Sequence, residues 1–121
     1  VSIEEEQTKS RSRLTEMAKV YFKKKGFKVN FENVIKEGNS GIPRHFDLIV
    51  QKSHNEQGIW IRDWNRTIGV NVIITLDTAS EDVGLTGPIM VGEKFSDHAK
   101  AYAKRKKIEL LTKQKMLESL R

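Results

Sequence analysis

Two tryptophans in a polar stretch and one run of four basic residues are the side chains of this sequence best suited to meeting a ligand. Trp60 and Trp64 fall within "SHNEQGIWIRDWN". Tryptophans so placed either stack on bases or anchor a protein partner, or else they cover a sheet edge. The run "KRKK", Lys104, Arg105, Lys106 and Lys107, is joined by Lys100, Lys113 and Lys115. Such a surface is suited to riding on phosphates, and the run equally suits the negative end of a helix dipole. Histidine as a residue type suits metal or acid–base chemistry, which draws attention to His45, His54 and His98, but no second ligand stands four residues from His98, so there is no zinc spacing. Ser96 and Thr112 lack a base arranged to activate them and read as helix caps. Asp47 stands just after a glycine-rich turn, where a lone aspartate caps backbone amides.

The bulk numbers set limits on what these residues serve. A chain of 121 residues is the size of one domain and buries a core without staples, so residues 1–121 are expected to form a single domain. With 37% hydrophobic and 31% charged residues it fits a soluble globular class. No apolar run approaches the roughly 20 residues of a membrane span, and the polar, acidic start is no secretory signal. There is no cysteine, which excludes disulfides and thiolate metal sites and favours a cytoplasmic address. The formal charge of +6 and pI near 9.6 suit a polyanion partner, because cations that displace condensed counterions gain entropy. Simple solubility accounts for the same charge.

The elements that must position these residues follow from periodicity. Leu14, Met17, Ala18, Tyr21 and Phe22 repeat at helical spacing, predicting a helix over 3–25. Glu4–Glu6 suit its positive end and Lys23–Lys25 its negative end, and Gly26 supplies the stop. "FKVNFENVI" (27–35) alternates as a half-buried strand. "KEGNSGIPR" is turn material, and "HFDLIVQK" (45–52) is a second strand. Residues 53–65 read as a hairpin or extended loop. "TIGVNVIITL" (67–76) is the most β-branched run in the chain and predicts the central strand, with Val70–Ile74 buried on both faces. A loop follows over 77–87, then a short strand "PIMVGE" and a helix "DHAKAYAKRKK" capped by Ser96. Last come a strand "IELLT" and a helix capped by Thr112, with Met116, Leu117 and Leu120 on one face. The order α-β-β-β-β-α-β-α predicts an α/β fold, a mixed central sheet flanked by helices. Its closing β-α-β is expected to be a right-handed crossover.

The second half, "GPIMVGEKFSDHAKAYAKRKKIELLTKQKMLESL", resembles the end of Mrr-type restriction endonuclease domains. The opening helix, the turn "EGNSGIPR", "HFDLIV" and "IGVNVII" are similar to the rest of that plan. Together they cover nearly the whole chain and resemble the wider PD-(D/E)XK, or restriction-endonuclease-like, family. The resemblance implies an aspartate at the second core strand and an acid or glutamine in the third, both holding magnesium, with a lysine two residues on that positions water. The metal in such a site draws charge from the phosphate and lowers the pKa of its water. Matched residue by residue, Asp47 takes the first place, Asn71 the second and Ile73 the lysine's. Asn71 offers an uncharged oxygen and Ile73 no charge at all.

The expected function is therefore nucleic-acid binding by a restriction-endonuclease-like domain with impaired catalysis. DNA is the expected partner, homodimer formation is expected from the resemblance, and magnesium is a cofactor only if the site is active. The nucleic-acid contacts are expected from Lys104, Arg105, Lys106, Lys107, Lys113, Trp60 and Trp64, and any metal contact from Asp47. A second reading is a metal-dependent endonuclease with a relocated site, its carboxylate from Glu37 or Asp77 and its lysine from Lys52 or Lys36. A third is a protein-interaction module on the same frame. Under the first reading, Asn71→Glu with Ile73→Lys restores both lost groups to one strand face and metal binding with them.

Overall fold

The computed structural model describes the backbone of residues 3–121 and the side chains of residues 13–121. Helix α1 (Ile3–Lys24) turns Leu14, Ala18, Tyr21 and Phe22 into the interior, the stripe its sequence spacing predicts. The side chains of Glu4–Glu6, expected at its positive end, lie outside the described residues. Gly26, at φ +91°, stops the helix, and the Phe27 amide donates back to the Phe22 carbonyl at 2.9 Å.

Strands β1 (Lys28–Glu37) and β2 (Pro43–Lys52) form an antiparallel hairpin. Strand β3 (Asn55–Ile61) returns antiparallel to β2. Strands β4 (Ile89–Gly92) and β5 (Glu109–Thr112) then add in parallel, giving one sheet ordered β1-β2-β3-β4-β5. Parallel neighbours cannot be joined by a tight turn and need a crossover, usually helical. Helix α2 (Val70–Asp82) makes that connection from β3 to β4, and α3 (Asp97–Lys106) makes it from β4 to β5. Helix α4 (Lys113–Ser119) closes the chain. Ser96 and Thr112 cap α3 and α4 as expected: their hydroxyls accept from Ala99 and Lys115 amides at 3.0 and 3.1 Å.

The mixed sheet flanked by helices is the architecture expected, with five strands, but one strand comes from a different segment. Residues 70–82, expected to begin within the central strand and run on into a loop, are helix α2 instead. Their buried residues, Ile73, Leu76, Ala79 and Ser80, repeat at helical spacing, while Asn71 and Thr75 face solvent. The third strand is drawn from the expected hairpin or loop, where Ile59 and Ile61 are buried. Polar flanks hide it in the sequence. The sheet needs only a short strand there, and the parallel β3–β4 pairing then obliges residues 70–82 to form the crossover.

Two cores lie on opposite faces of the sheet. One joins Leu14, Ala18, Tyr21 and Phe22 to Leu48, Val50, Ile59, Ile61, Val91 and Met116. The other places Ile73, Leu76 and Ala79 of α2, and Ala99 and Ala103 of α3, over Ile49 and Met90. Asp82, at the end of α2, clamps the β1–β2 turn. It accepts from the Ser40 amide and hydroxyl at 2.9 and 2.7 Å and from Arg44 Nε at 2.9 Å. Those hydrogen bonds, Ser40's first, hold its carboxyl at a pKa of about 2. Gly38 is needed for this approach, since a Cβ there would stand 1.9 Å from the Asp82 carboxylate. Among the described residues, no helix is long and apolar enough to cross a membrane.

Candidate functional site at Asp47

Strand β2 does not alternate cleanly. Leu48 and Val50 enter the α1 core and Ile49 the α2 core, yet Phe46 also lies in the α2 core. Residues two apart normally share a face, so the strand turns over at Asp47. Opposite it, between the pairs Glu32↔Leu48 and Val34↔Phe46, Asn33 holds φ +48°, a left-handed conformation that asparagine tolerates better than most. The Asp47 carboxylate thereby meets the end of β3. Its Oδ2 accepts from the Ile61 amide at 2.7 Å and from Arg62 Nη1 at 3.2 Å. Arg62 also donates to the Ile61 carbonyl at 3.1 Å.

Beyond β3 the chain continues alongside β4. The Arg62 amide donates to Val91 at 2.8 Å, and Ile68 bridges to Phe95 in parallel. Along this segment Trp60, Arg62, Trp64 and Arg66 come together through their side chains. The Arg62 guanidinium lies 4.7 Å from the Trp60 ring centroid and 5.9 Å from that of Trp64, and Arg66 lies 4.3 Å over Trp64. Each such stack contributes about 0.5–1 kcal/mol at an exposed site and about 2 when desolvated. Trp60 is also fixed at its other end, where Nε1 donates to the His45 carbonyl at 2.8 Å. His45 in turn pairs with Asn33 at 2.5 Å. Both tryptophans are half-buried and pack on the α2 core. They cover a sheet face and display a cationic ladder together. Neither arginine was among the residues expected from the sequence, although the spacing W-x-R-x-W-x-R was there to be read.

The other expected site residues are scattered. Asn71 is exposed on α2 and Ile73 is fully buried in the α2 core, so neither takes the motif place assigned from the resemblance. That assignment is corrected: the third strand is β3, Trp60 stands opposite Asp47 in register with Leu48↔Ile59, and Arg62 reaches the carboxylate. Glu37 pairs with Pro43 at the far end of the hairpin, about 13 Å along β2 from Asp47 at strand rise. Asp77 accepts the Tyr102 hydroxyl at 2.8 Å, a bond that, with burial, raises the tyrosine's pKa. Lys52 donates to the Lys25 carbonyl at 3.1 Å and Lys36 lies over Phe31. His54 sits exposed in the β2–β3 turn and His98 is exposed on α3.

The basic run also divides. Lys104, Arg105 and Lys106 end α3, before β5 begins, whereas Lys113 follows the end of β5. A strand of four residues separates them, about 13 Å. Lys107 is the residue that ends α3, at φ 59°, where a side chain is strained by about 1–2 kcal/mol. Lys107→Gly is expected to stabilise the fold by about 1 kcal/mol, offset in part by a freer unfolded chain, and urea denaturation would measure it. A loss of stability would mean that the lysine side chain itself holds the helix end.

Magnesium prefers hard oxygen donors and near-octahedral geometry. The donor set here does not supply it. Trp60 stands where a second acid would be required and a guanidinium pairs with Asp47, and among the described residues no group of three or more His, Cys, Asp or Glu could hold a metal ion. What the arrangement offers is fixed positive charge beside a tethered carboxylate, with flat aromatic surface between.

Comparison with known proteins bears on what this frame is. A search of curated proteins finds no match. A crystal structure titled as that of a protein of unknown function, AF1548, superposes with a TM-score of 0.76 at 22% identity. The match covers 88% of this chain and 66% of that one, and at this identity the likeness speaks to the fold. A family model described as Restriction endonuclease, Mrr_cat, matches residues 7–120. With nearly the whole length matched, the chain belongs to the Mrr_cat restriction endonuclease family.

Proposed function

We propose that this chain is a nucleic-acid-binding restriction-endonuclease-like domain, spanning 1–121, in which the nuclease chemistry has been lost. The observation that carries the reading is the Arg62 guanidinium on Asp47, a cation–carboxylate pair where hydrolysis would call for two acids and a lysine. Around it, Arg66, Lys94 and Lys113 collect beyond the ends of β3, β4 and β5. Ligands of open α/β sheets commonly bind at the carboxyl ends of strands. The relocated-site reading is less well supported, since Glu37 stands at the far end of the hairpin and Asp77 is bonded to Tyr102. Lys104–Lys107, separated from Lys113 by the length of β5, about 13 Å at strand rise, supply a second set of phosphate contacts.

Binding to duplex DNA is expected to weaken steeply with salt, with a slope of about −0.9 per phosphate neutralised. Fluorescence anisotropy across a salt series would measure it. Removing the charges of Arg66 and Lys113 together should flatten the slope by about two contacts and weaken all sequences alike. Neutralising Arg105, Lys106 and Lys107 should flatten it further. A slope unchanged by both sets would sink the nucleic-acid reading and leave the protein-interaction reading in its place.

A further inference from the structure

We infer that the Arg62 guanidinium has taken over the electrostatic place of a divalent ion beside Asp47, giving a phosphodiester backbone a built-in, metal-independent positive charge. The inference deepens the function proposed above and rests on it.

Charge is the first argument. A single carboxylate holding a divalent cation carries one net positive charge. The Asp47–Arg62 pair is itself neutral, and Arg66, stacked on the Trp64 ring that Arg62 also approaches, brings these three groups to the same net charge. The second argument is fixation. A bound metal is useful because it cannot swing away, and Arg62 is likewise held on several sides. Asp47 takes Nη1 at 3.2 Å, the Ile61 carbonyl takes it at 3.1 Å, and the Trp60 and Trp64 rings lie 4.7 and 5.9 Å from the guanidinium carbon. Trp60 is itself pinned to the His45 carbonyl. The third is the residue type. Arginine is planar, stacks on aromatic rings, offers five donors and stays protonated at any working pH. A lysine would keep the charge but neither stack nor fork. Arg66, exposed and stacked on Trp64, carries the ladder's charge outward, where a phosphate is met.

The inference separates cleanly from ordinary basic-patch binding, because it predicts what metal does to the protein alone. Thermal unfolding of the unmodified chain is expected to show the same midpoint with and without millimolar manganese. Arg62→Glu is expected to gain a midpoint that climbs with manganese, since a ligand that binds only the native state stabilises it by mass action. A manganese-dependent rise already present in the unmodified chain, and removed by Asp47→Asn, would overturn the inference. So would an Arg62→Glu protein that melts cooperatively but ignores manganese.

Duplex affinity supplies the second arm. At constant ionic strength it should be the same in magnesium and in chelator. Arg62→Lys, which preserves the charge and so the fold, should lose roughly tenfold, the scale of one charge-assisted contact. Native affinity in a natively melting Arg62→Lys protein would overturn the role of the guanidinium. If the unmodified chain binds no duplex at all, the nucleic-acid reading falls and the phosphodiester falls with it. The manganese melts then still decide whether Arg62 holds the cation's place.

Discussion

Asn71→Glu with Ile73→Lys is expected to unfold the protein, not to arm it. On the strand that the sequence suggests, both groups would point into one site. On helix α2 they part company: Asn71 faces solvent and Ile73 is 0% exposed, packed with Leu76 and Ala79 in the α2 core. A lysine at position 73 forfeits the aliphatic packing, about 2–5 kcal/mol for losing a buried isoleucine. It also strands an ammonium among apolar side chains without a partner, which raises the cost further. A domain of this size has about 5–15 kcal/mol in all, so Ile73→Lys alone should abolish or severely lower the cooperative melt. Asn71→Glu alone is the internal control. It stands in the first turn of α2, which has no acid of its own, and an acid there suits the helix dipole. Its effect should stay within about 0.5 kcal/mol of zero, or be slightly stabilising. A double variant that melts natively and binds magnesium would show that residues 70–74 form a strand after all.

The unmodified protein is expected to cleave DNA no faster than buffer does, with magnesium or manganese. Removing one group that stabilises transition-state charge commonly costs about 10²–10³ in rate. Opposite Asp47 the second acid is replaced by Trp60, and the lysine two residues on by Arg62, so the loss should be roughly 10⁴-fold or more. A supercoiled-plasmid nicking assay has the sensitivity to see it. The matching gain-of-function change is Trp60→Glu with Arg62→Lys. It should bind manganese measurably and nick weakly, at some cost in stability because Trp60 packs on the α2 core. Robust magnesium-dependent nicking by the unmodified chain, lost on Glu37→Gln or Asp77→Asn, would falsify the impaired-site reading and restore the relocated one.

These outcomes turn on which properties of the chain are local. Helix α1 was legible because its apolar stripe and its Gly26 stop act within a few residues. The caps at Ser96 and Thr112 were legible for the same reason: a hydroxyl and an amide three residues apart need nothing else to find each other. The closing strand-helix-strand, with β4 and β5 parallel, followed from short apolar runs bounded by clear helix signals. Residues 67–76 were not legible. Seven β-branched residues within that run favour a strand on propensity, but propensity is a weak prior that packing overrides. Whether Ile73 and Leu76 face one way or two depends on what lies against them. The decision came from pairing β3 with β4, which lie far apart in sequence and need a helical crossover between them. The site was lost with the strand. Asp47 was found from the sequence because its neighbours in the chain mark it. Arg62, fifteen residues away, becomes its partner only through the antiparallel register of β2 and β3, and the stacking of Trp60 and Trp64 on it needs that register fixed first. The sequence by itself therefore determined the helix ends, the α/β class and one carboxylate of the site. Tertiary structure decided what stands opposite that carboxylate, because charge pairing across a sheet depends on register, and register is set by the packing of both faces at once.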